Sequence, residues 1–308
     1  MTRKLYWEDP HLTRCEARVI ERVQDGGQVR IVLDATVFYP ESGGQPADRG
    51  TINDMPVDTV IMEGGRIVHI VDGDVQEDTV VCAVDPRVRR DHMQQHTGQH
   101  ILSQAFERVL GAETVSFHLG SEASTIDLDV AGLEREAVAG VEEVANAVVL
   151  ADVPVGVREY DAGELGNVAL RRVPEVDGPV RVVSIGDYDV CACGGTHVRA
   201  AGEVGAIHVS RWERRRDQMR VEFLCGCRAL RDYRRQGAIL QGLAARFSVG
   251  VADLPDAVAR LVESDAEARR QVQGLRQRLL DLELERLRGE GEPVGGWRLV
   301  AAVLDGLD

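Results

Sequence analysis

His96 and His100 stand four residues apart in residues 89–100, RRDHMQQHTGQH. On a helix that spacing puts both imidazoles on one face, close enough to grip a single metal ion. Much later the chain offers Cys193-Gly194-Gly195-Thr196-His197, a thiolate and a third imidazole around paired glycines. The glycines allow a tight turn, so Cys193 and His197 can converge on one point. Two His from a helix with Cys and His from a turn make a four-ligand set typical of zinc. Cys191 is a rival thiolate two residues away, and His92 continues the i, i+4 series. Thr97 follows His96, so the general-base Glu of an HExxH peptidase is absent. With no Ser/His/Asp triad evident, a metal-held or closely positioned water is the nucleophile this set suggests.

The 308 residues are enough for two or three domains, and 44% hydrophobic content is ordinary for a globular chain. No apolar run approaches the length of a membrane span, and the first ten residues lack a signal-peptide core. A cytoplasmic protein without a membrane partner is the expectation. Six cysteines, unevenly placed, then read as free thiols or metal ligands. The net charge of −15 excludes a general nucleic-acid-coating role. Yet residues 208–237 hold nine arginines against four carboxylates. That stretch, with Arg214, Arg215 and Arg216 at its centre, is either a solvated, salt-bridged face or a phosphate-binding patch.

The elements that must position these groups follow from hydrophobic period. Residues 1–88 read as short strands. Asp25-Gly26-Gly27 and Gly64-Gly65 mark hairpin turns, which suggests a small barrel or sandwich. Between the strands lies Tyr39-Pro-Glu-Ser-Gly-Gly-Gln-Pro46, whose paired glycines permit close backbone approach to a ligand. Residues 87–111 are helical in pattern, with Ile101, Leu102, Ala105, Phe106, Val109 and Leu110 as the apolar stripe and Gly111 as the stop. Strands, a helix over 133–149 and further strands up to about 230 predict an α+β domain with helices on one side of a sheet. Beyond it, Val258, Leu261, Asp265, Ala268, Val272, Leu275, Leu279, Leu282 and Arg286 keep an unbroken 3-4 spacing, with Asp265 and Arg286 as polar residues at two seam positions. This predicts a long helix or short coiled coil over 231–292, pairing with the helix before it or, in a homodimer, with the C-terminal region of a second copy. GEGEPVGG reads as a linker, and residues 293–308 as the start of a truncated C-terminal domain.

FYPESGGQPADRG, DHMQQHTGQHILSQAF, TVSFHLG and CACGGTHV, in this order and spacing, resemble the editing module of alanyl-tRNA synthetases and its freestanding AlaX-type relatives, in particular the long form. The resemblance covers roughly residues 1–230. It implies a small β-barrel over 1–88 and an α+β editing domain over 89–230, shared with threonyl-tRNA synthetases. It further implies one zinc on His96, His100, Cys193 and His197. The implied activity is hydrolysis of the ester joining serine, or glycine, to tRNA(Ala). Ser42, Gly43, Gly44 and Gln45 match the family's glycine-rich motif, associated there with tRNA recognition. With no sign of an aminoacylation domain ahead of Met1, editing in trans is the expectation.

Such an activity has a physical reason. A pocket for alanine rejects poorly an amino acid that only adds a hydroxyl or loses a methyl, so a second site must clear the errors. The catalytic group itself is not identified. A zinc-associated water is one candidate, and Thr97 and Gln99 on the helix and Ser116 and His118 on the next strand are candidate pocket walls. The alternative is a non-catalytic tRNA-binding module with a structural zinc.

Overall fold

The computed structural model describes residues 2–161, 163–172 and 178–300. Two compact units divide it, Met1–Tyr233 and Arg234–Asp308. In the first, six antiparallel strands precede the metal motifs: β1 (Arg14–Asp25), β2 (Gln28–Leu33), β3 (Gly50–Ile52), β4 (Met55–Glu63), β5 (Arg66–Asp72) and β6 (Thr79–Val84). They pair in the order β1-β2-β5-β4-β3-β6, and β6 pairs back to β1 with Cys15 opposite Cys82, closing a barrel. Two-residue turns join β1 to β2 at Gly26-Gly27 and β4 to β5 at Gly64-Gly65. Both residues of the second turn have positive φ (56° and 78°), which matches the twist of the flanking strands. Alternate residues fill the interior, with Ile31, Leu33, Val60 and Val80 fully buried beside Phe38 and Tyr6. Burial of each such side chain contributes about 1.5–3 kcal/mol. The three-residue β3 and a short helix, Leu5–Glu8, have no hydrophobic period long enough to announce them.

Helix α1 (Pro86–Leu110) follows the barrel directly. Asp85 caps it by accepting from the Arg87 amide at 2.8 Å, and Pro86 occupies the first turn, where a missing N–H costs nothing. Gly111 ends it in the left-handed conformation (φ 63°), its N–H reaching Glu107 O at 2.9 Å. The helix is buried on most of its circumference, polar faces included. A buried Arg89–Asp48 ion pair ties its first turn to the barrel. Arg89 also donates to Val37 O at 2.5 Å and to Pro10 O at 2.6 Å. The donors and carboxylate are thus satisfied, the condition for a buried pair to be tolerable.

The single sheet expected after α1 is two sheets. β7 (Thr114–Leu119), β8 (Ser124–Leu128), β12 (Ile207–Arg215) and β13 (Gln218–Cys225) form one in the order β12-β13-β8-β7. β9 (Val155–Tyr160), β10 (Val180–Ile185) and β11 (Asp189–Ala192) form the other in chain order. Helix α2 (Arg135–Leu150) packs on α1, and α1 touches strands of both sheets. The core between them contains Ile101, Leu102, Phe106, Ile126, Val141, Ile185 and Phe223. A helix buried on more than one face, with polar residues such as Gln94, Gln95, His96 and His100 among those covered, needs more than one layer around it, and an apolar stripe alone does not announce the second layer.

Helix α3 (Cys227–Phe247) leaves the first unit. The second unit continues with α4 (Leu254–Glu290) and a hairpin of Glu292–Val294 with Trp297–Leu299. Within GEGEPVGG, Gly289 and Glu290 end α4, Glu292–Val294 form the first strand of the hairpin and Gly295-Gly296 its turn; residues 301–308 of the expected C-terminal domain lie outside the described residues. The α4 positions Val258, Leu261, Val272, Leu275, Leu279 and Leu282 are all exposed, 44–64%. No described helix is long and apolar enough to cross a membrane.

Candidate metal centre

His96, His100, Cys193 and His197 come together, with one ligand atom from each within 4.8 Å of all the others. The Cys193 Sγ lies 3.3 Å from His96 Nε2 and 3.2 Å from His197 Nε2. Tetrahedral bonds of about 2.0–2.3 Å place neighbouring ligand atoms about 3.4–3.6 Å apart, close to the two separations at Cys193. The three histidines are 1–3% exposed, and Cys193 is the partly open member. Cys191 stays outside the cluster, its Sγ directed to the Ala192 carbonyl at 3.7 Å. His92 also stays outside, 3.8 Å from Asp48.

Each imidazole is oriented by a partner on its outer nitrogen. His96 Nδ1 is 2.7 Å from Gln45 Oε1, His100 Nδ1 is 3.0 Å from Asp189 Oδ2, and His197 Nδ1 is 3.1 Å from Thr97 Oγ1. With Nδ1 engaged in all three, Nε2 is the nitrogen left for the centre. Outer hydrogen bonds of this kind fix tautomer and ring direction at metal sites. The residues therefore fit a soft-to-borderline cation such as zinc in donor type, number and orientation.

Electrostatics point the same way. Burial opposes charge on Cys193, but His96, His197 and His100 outweigh it and hold the thiol well below its ordinary value. Burial also opposes charge on His100, and the Asp189 and Cys193 partners overcome it, raising the group to about 10. His197, where burial dominates, is lowered to about 3. The protein alone therefore favours a thiolate beside a cationic imidazole. An incoming cation would take the place of the His100 proton.

The turn that carries Cys193 is held from three sides. Trp7 Nε1 donates to Gly194 O at 2.8 Å, and Arg181 Nη1 donates to the carbonyls of Cys193 (2.7 Å) and Gly195 (3.0 Å). Gln45 accepts from the Thr196 amide at 3.1 Å and donates to Thr196 Oγ1 at 2.9 Å. A Cβ on Gly195 would lie 2.1 Å from His96 Cε1, so only glycine lets the turn approach the helix this closely.

Beside the cluster is a cleft of about 760 Å³, lined by Ser42, Gly43, His96, Gln99, His100, Ser116, Phe117, Arg171 and Cys193 among others. Its size suits a nucleoside-sized group. Of the pocket walls anticipated from sequence, Gln99 and Ser116 line it. Ser116 donates to Asp127 Oδ2 at 2.7 Å, and Gln99 Nε2 donates to Ser103 Oγ at 2.8 Å. Thr97 does not line it, being fully buried behind His197, and neither does His118, an exposed residue further along β7. Ser42 and Gly43 are open to a ligand, but Gly44 is pressed against Phe117 and Gln45 is fully buried. Gln45 is thus a support for His96. Arg214, Arg215 and Arg216 are exposed at the β12–β13 turn, where Arg215 pairs with Glu213 at 3.2 Å. Sequence gave no signal for Asp189, Gln45 or Trp7 as supports, because each reaches the site only through the fold.

A family model described as "Threonyl and Alanyl tRNA synthetase second additional domain" matches residues 180–221, which include the CGGTH turn. Another, "tRNA synthetases class II (A)", matches residues 11–88. The alanyl-tRNA editing protein AlaX-L of Pyrococcus horikoshii is 32% identical over 98% of the chain and 78% of its own length. The alanine–tRNA ligase of Pyrococcus furiosus is 33% identical over 99% of the chain but 35% of its own length. Alanyl-tRNA editing protein Aarsd1 of Bos taurus is 36% identical over 76% of the chain and 54% of its own length. With these matches and the metal motifs assembled as one centre, the chain belongs to the AlaX-L family of alanyl-tRNA editing proteins.

Proposed function

We propose that the chain hydrolyses the ester of tRNA(Ala) wrongly charged with serine, or with glycine, acting in trans. The observation that carries this is the His/Cys cluster opening into the wall of a nucleoside-sized cleft. His96, His100, Cys193 and His197 would hold a zinc ion. When bound, zinc supplies a positive charge that polarises an ester or a nearby water. The cleft walls orient the 3′ end: Gln99 keeps a buried amide oxygen without a hydrogen-bond partner, an acceptor suited to the ammonium or hydroxyl of serine. Ser116, fixed by Asp127, presents a second polar group to the same space. An aminoacyl ester is intrinsically reactive, so orientation is the larger part of the task. Ser42 and Gly43 on the cleft rim and Arg214, Arg215 and Arg216 on the hairpin are proposed tRNA contacts. A homodimer through the C-terminal region would cover the exposed α4 positions.

Four protein ligands favour a second reading, since closed zinc sites are usually structural. In that case the chain binds tRNA without cleaving the ester. Purified protein with labelled Ser-tRNA(Ala) and Ala-tRNA(Ala) separates the two: the deacylase releases serine and largely spares alanine, whereas the binding module releases neither.

A further inference from the structure

A second cleft, of about 800 Å³, lies around the start of α1. Arg49 from the barrel, Arg87 and Arg90 from α1 and Arg231 from α3 line it, all four exposed. None of them has an ion-pair partner among the described residues, whereas the neighbouring Arg89 and Arg228 are taken by Asp48 and Asp91. Two carboxylates, Glu41 and Asp58, also line it without ion pairs, so the free charge is net positive in a chain whose total is −15. His92, 7% exposed, lines the cleft too, with its Nδ1 lacking a hydrogen-bond partner. Unpaired guanidinium groups from three separate elements around one concavity suit an anion with several phosphates better than a single small one.

The cleft's position specifies that anion further. Residues 41–49 divide the two clefts: Glu41, Pro46, Ala47, Asp48 and Arg49 line this one, and Ser42 and Gly43 line the one beside the metal cluster. Along α1, Arg90 and Arg87 precede His96 by six and nine residues, about 9 and 14 Å of helix axis. That is the reach of a few nucleotides. We propose that the arginine cleft binds the phosphodiester backbone of the tRNA acceptor end, which then crosses the glycine-rich loop to the metal centre. This rests on tRNA being the substrate.

The test uses the full chain and uncharged tRNA(Ala) transcript, which binds but cannot be hydrolysed. In Arg87→Gln/Arg90→Gln, Kd at 0.15 M salt should rise about tenfold or more, and the slope of log K against log salt should flatten by roughly 1.4–1.8. Arg231→Gln, on another element, should move both in the same direction by a smaller amount. Arg135→Gln, on α2 and away from the cleft, should leave them unchanged. Kd and slope equal to the parent's in both cleft variants would overturn the assignment, even where the cleft still takes up inorganic phosphate. Serine release by the parent with unaltered binding in the variants would count against the cleft alone. Binding through the cleft without serine release would count against the deacylase reading alone.

Discussion

Of the adjacent glycines in the CGGTH turn, Gly195 should not tolerate alanine and Gly194 should. In Gly195→Ala the new Cβ would sit 2.1 Å from His96 Cε1, 2.3 Å from its Nδ1 and 2.8 Å from Gln45 Oε1. Carbon atoms meet comfortably at about 3.5–4.0 Å. The ring or the turn must therefore move by more than 1 Å. Either movement breaks the 2.7 Å His96–Gln45 bond and carries a ligand off its point. Loss of an orienting hydrogen bond alone costs about 10–100-fold in metal affinity, and displacing the ligand adds to this. A Cβ on Gly194 meets only Trp7 Cζ2, at 3.9 Å, an ordinary contact. The assay is zinc content by mass spectrometry after dialysis against a graded chelator, with circular dichroism to check the fold. Gly195→Ala should lose zinc at chelator concentrations at least tenfold lower than the parent, and Gly194→Ala should match the parent. Equal retention in folded Gly195→Ala, or equal loss in both, would refute the geometric argument.

Cys193→Ala should lower zinc content, and Cys191→Ala should leave it nearly unchanged, because only Cys193 joins the cluster; the same chelator series measures both. Asp189→Asn should weaken zinc by about 10–100-fold by disturbing the outer partner of His100. His69 gives a pH signature. Burial lowers it to about 4, so the folded barrel holds it neutral between Thr36 Oγ1 and Ile31 O while the unfolded chain protonates near pH 6.5. Its stabilisation is therefore complete above about pH 6.5 and lost as pH falls towards 4, by up to about 3 kcal/mol. In urea unfolding the parent should weaken more steeply over that window than His69→Gln, and parallel curves would argue against it. Replacing Arg214, Arg215 and Arg216 together should weaken tRNA binding and flatten its salt dependence, as removal of phosphate contacts must.

The parts legible in the sequence were those with local causes. The helix after the barrel carries its own stripe and stop in residues 101–110 and Gly111, whereas its cap, Asp85, becomes evident only in the structure. The hairpins carried paired glycines, and the ligand quartet carried its spacing. What escaped depended on residues far apart in the chain. Asp189 supports His100 across 89 residues, and Gln45 supports His96 across 51. Gln45 belongs to a motif whose family resemblance implies tRNA recognition, yet its side chain is fully buried and bonds His96 and Thr196. Alternation and proximity to the metal helix suggest Thr97 and His118 as pocket walls. Alternation gives a side of the element and does not say which side faces the cleft. The second sheet was hidden because β11 has only four residues, too few to show a period.

Single-turnover release of labelled serine from Ser-tRNA(Ala), compared between the parent and folded His100→Ala, bears most directly on the metal centre as the reacting site. The parent should release serine and largely spare Ala-tRNA(Ala), and the His100→Ala chain should release none. A folded His100→Ala chain that deacylates as fast as the parent would contradict the account.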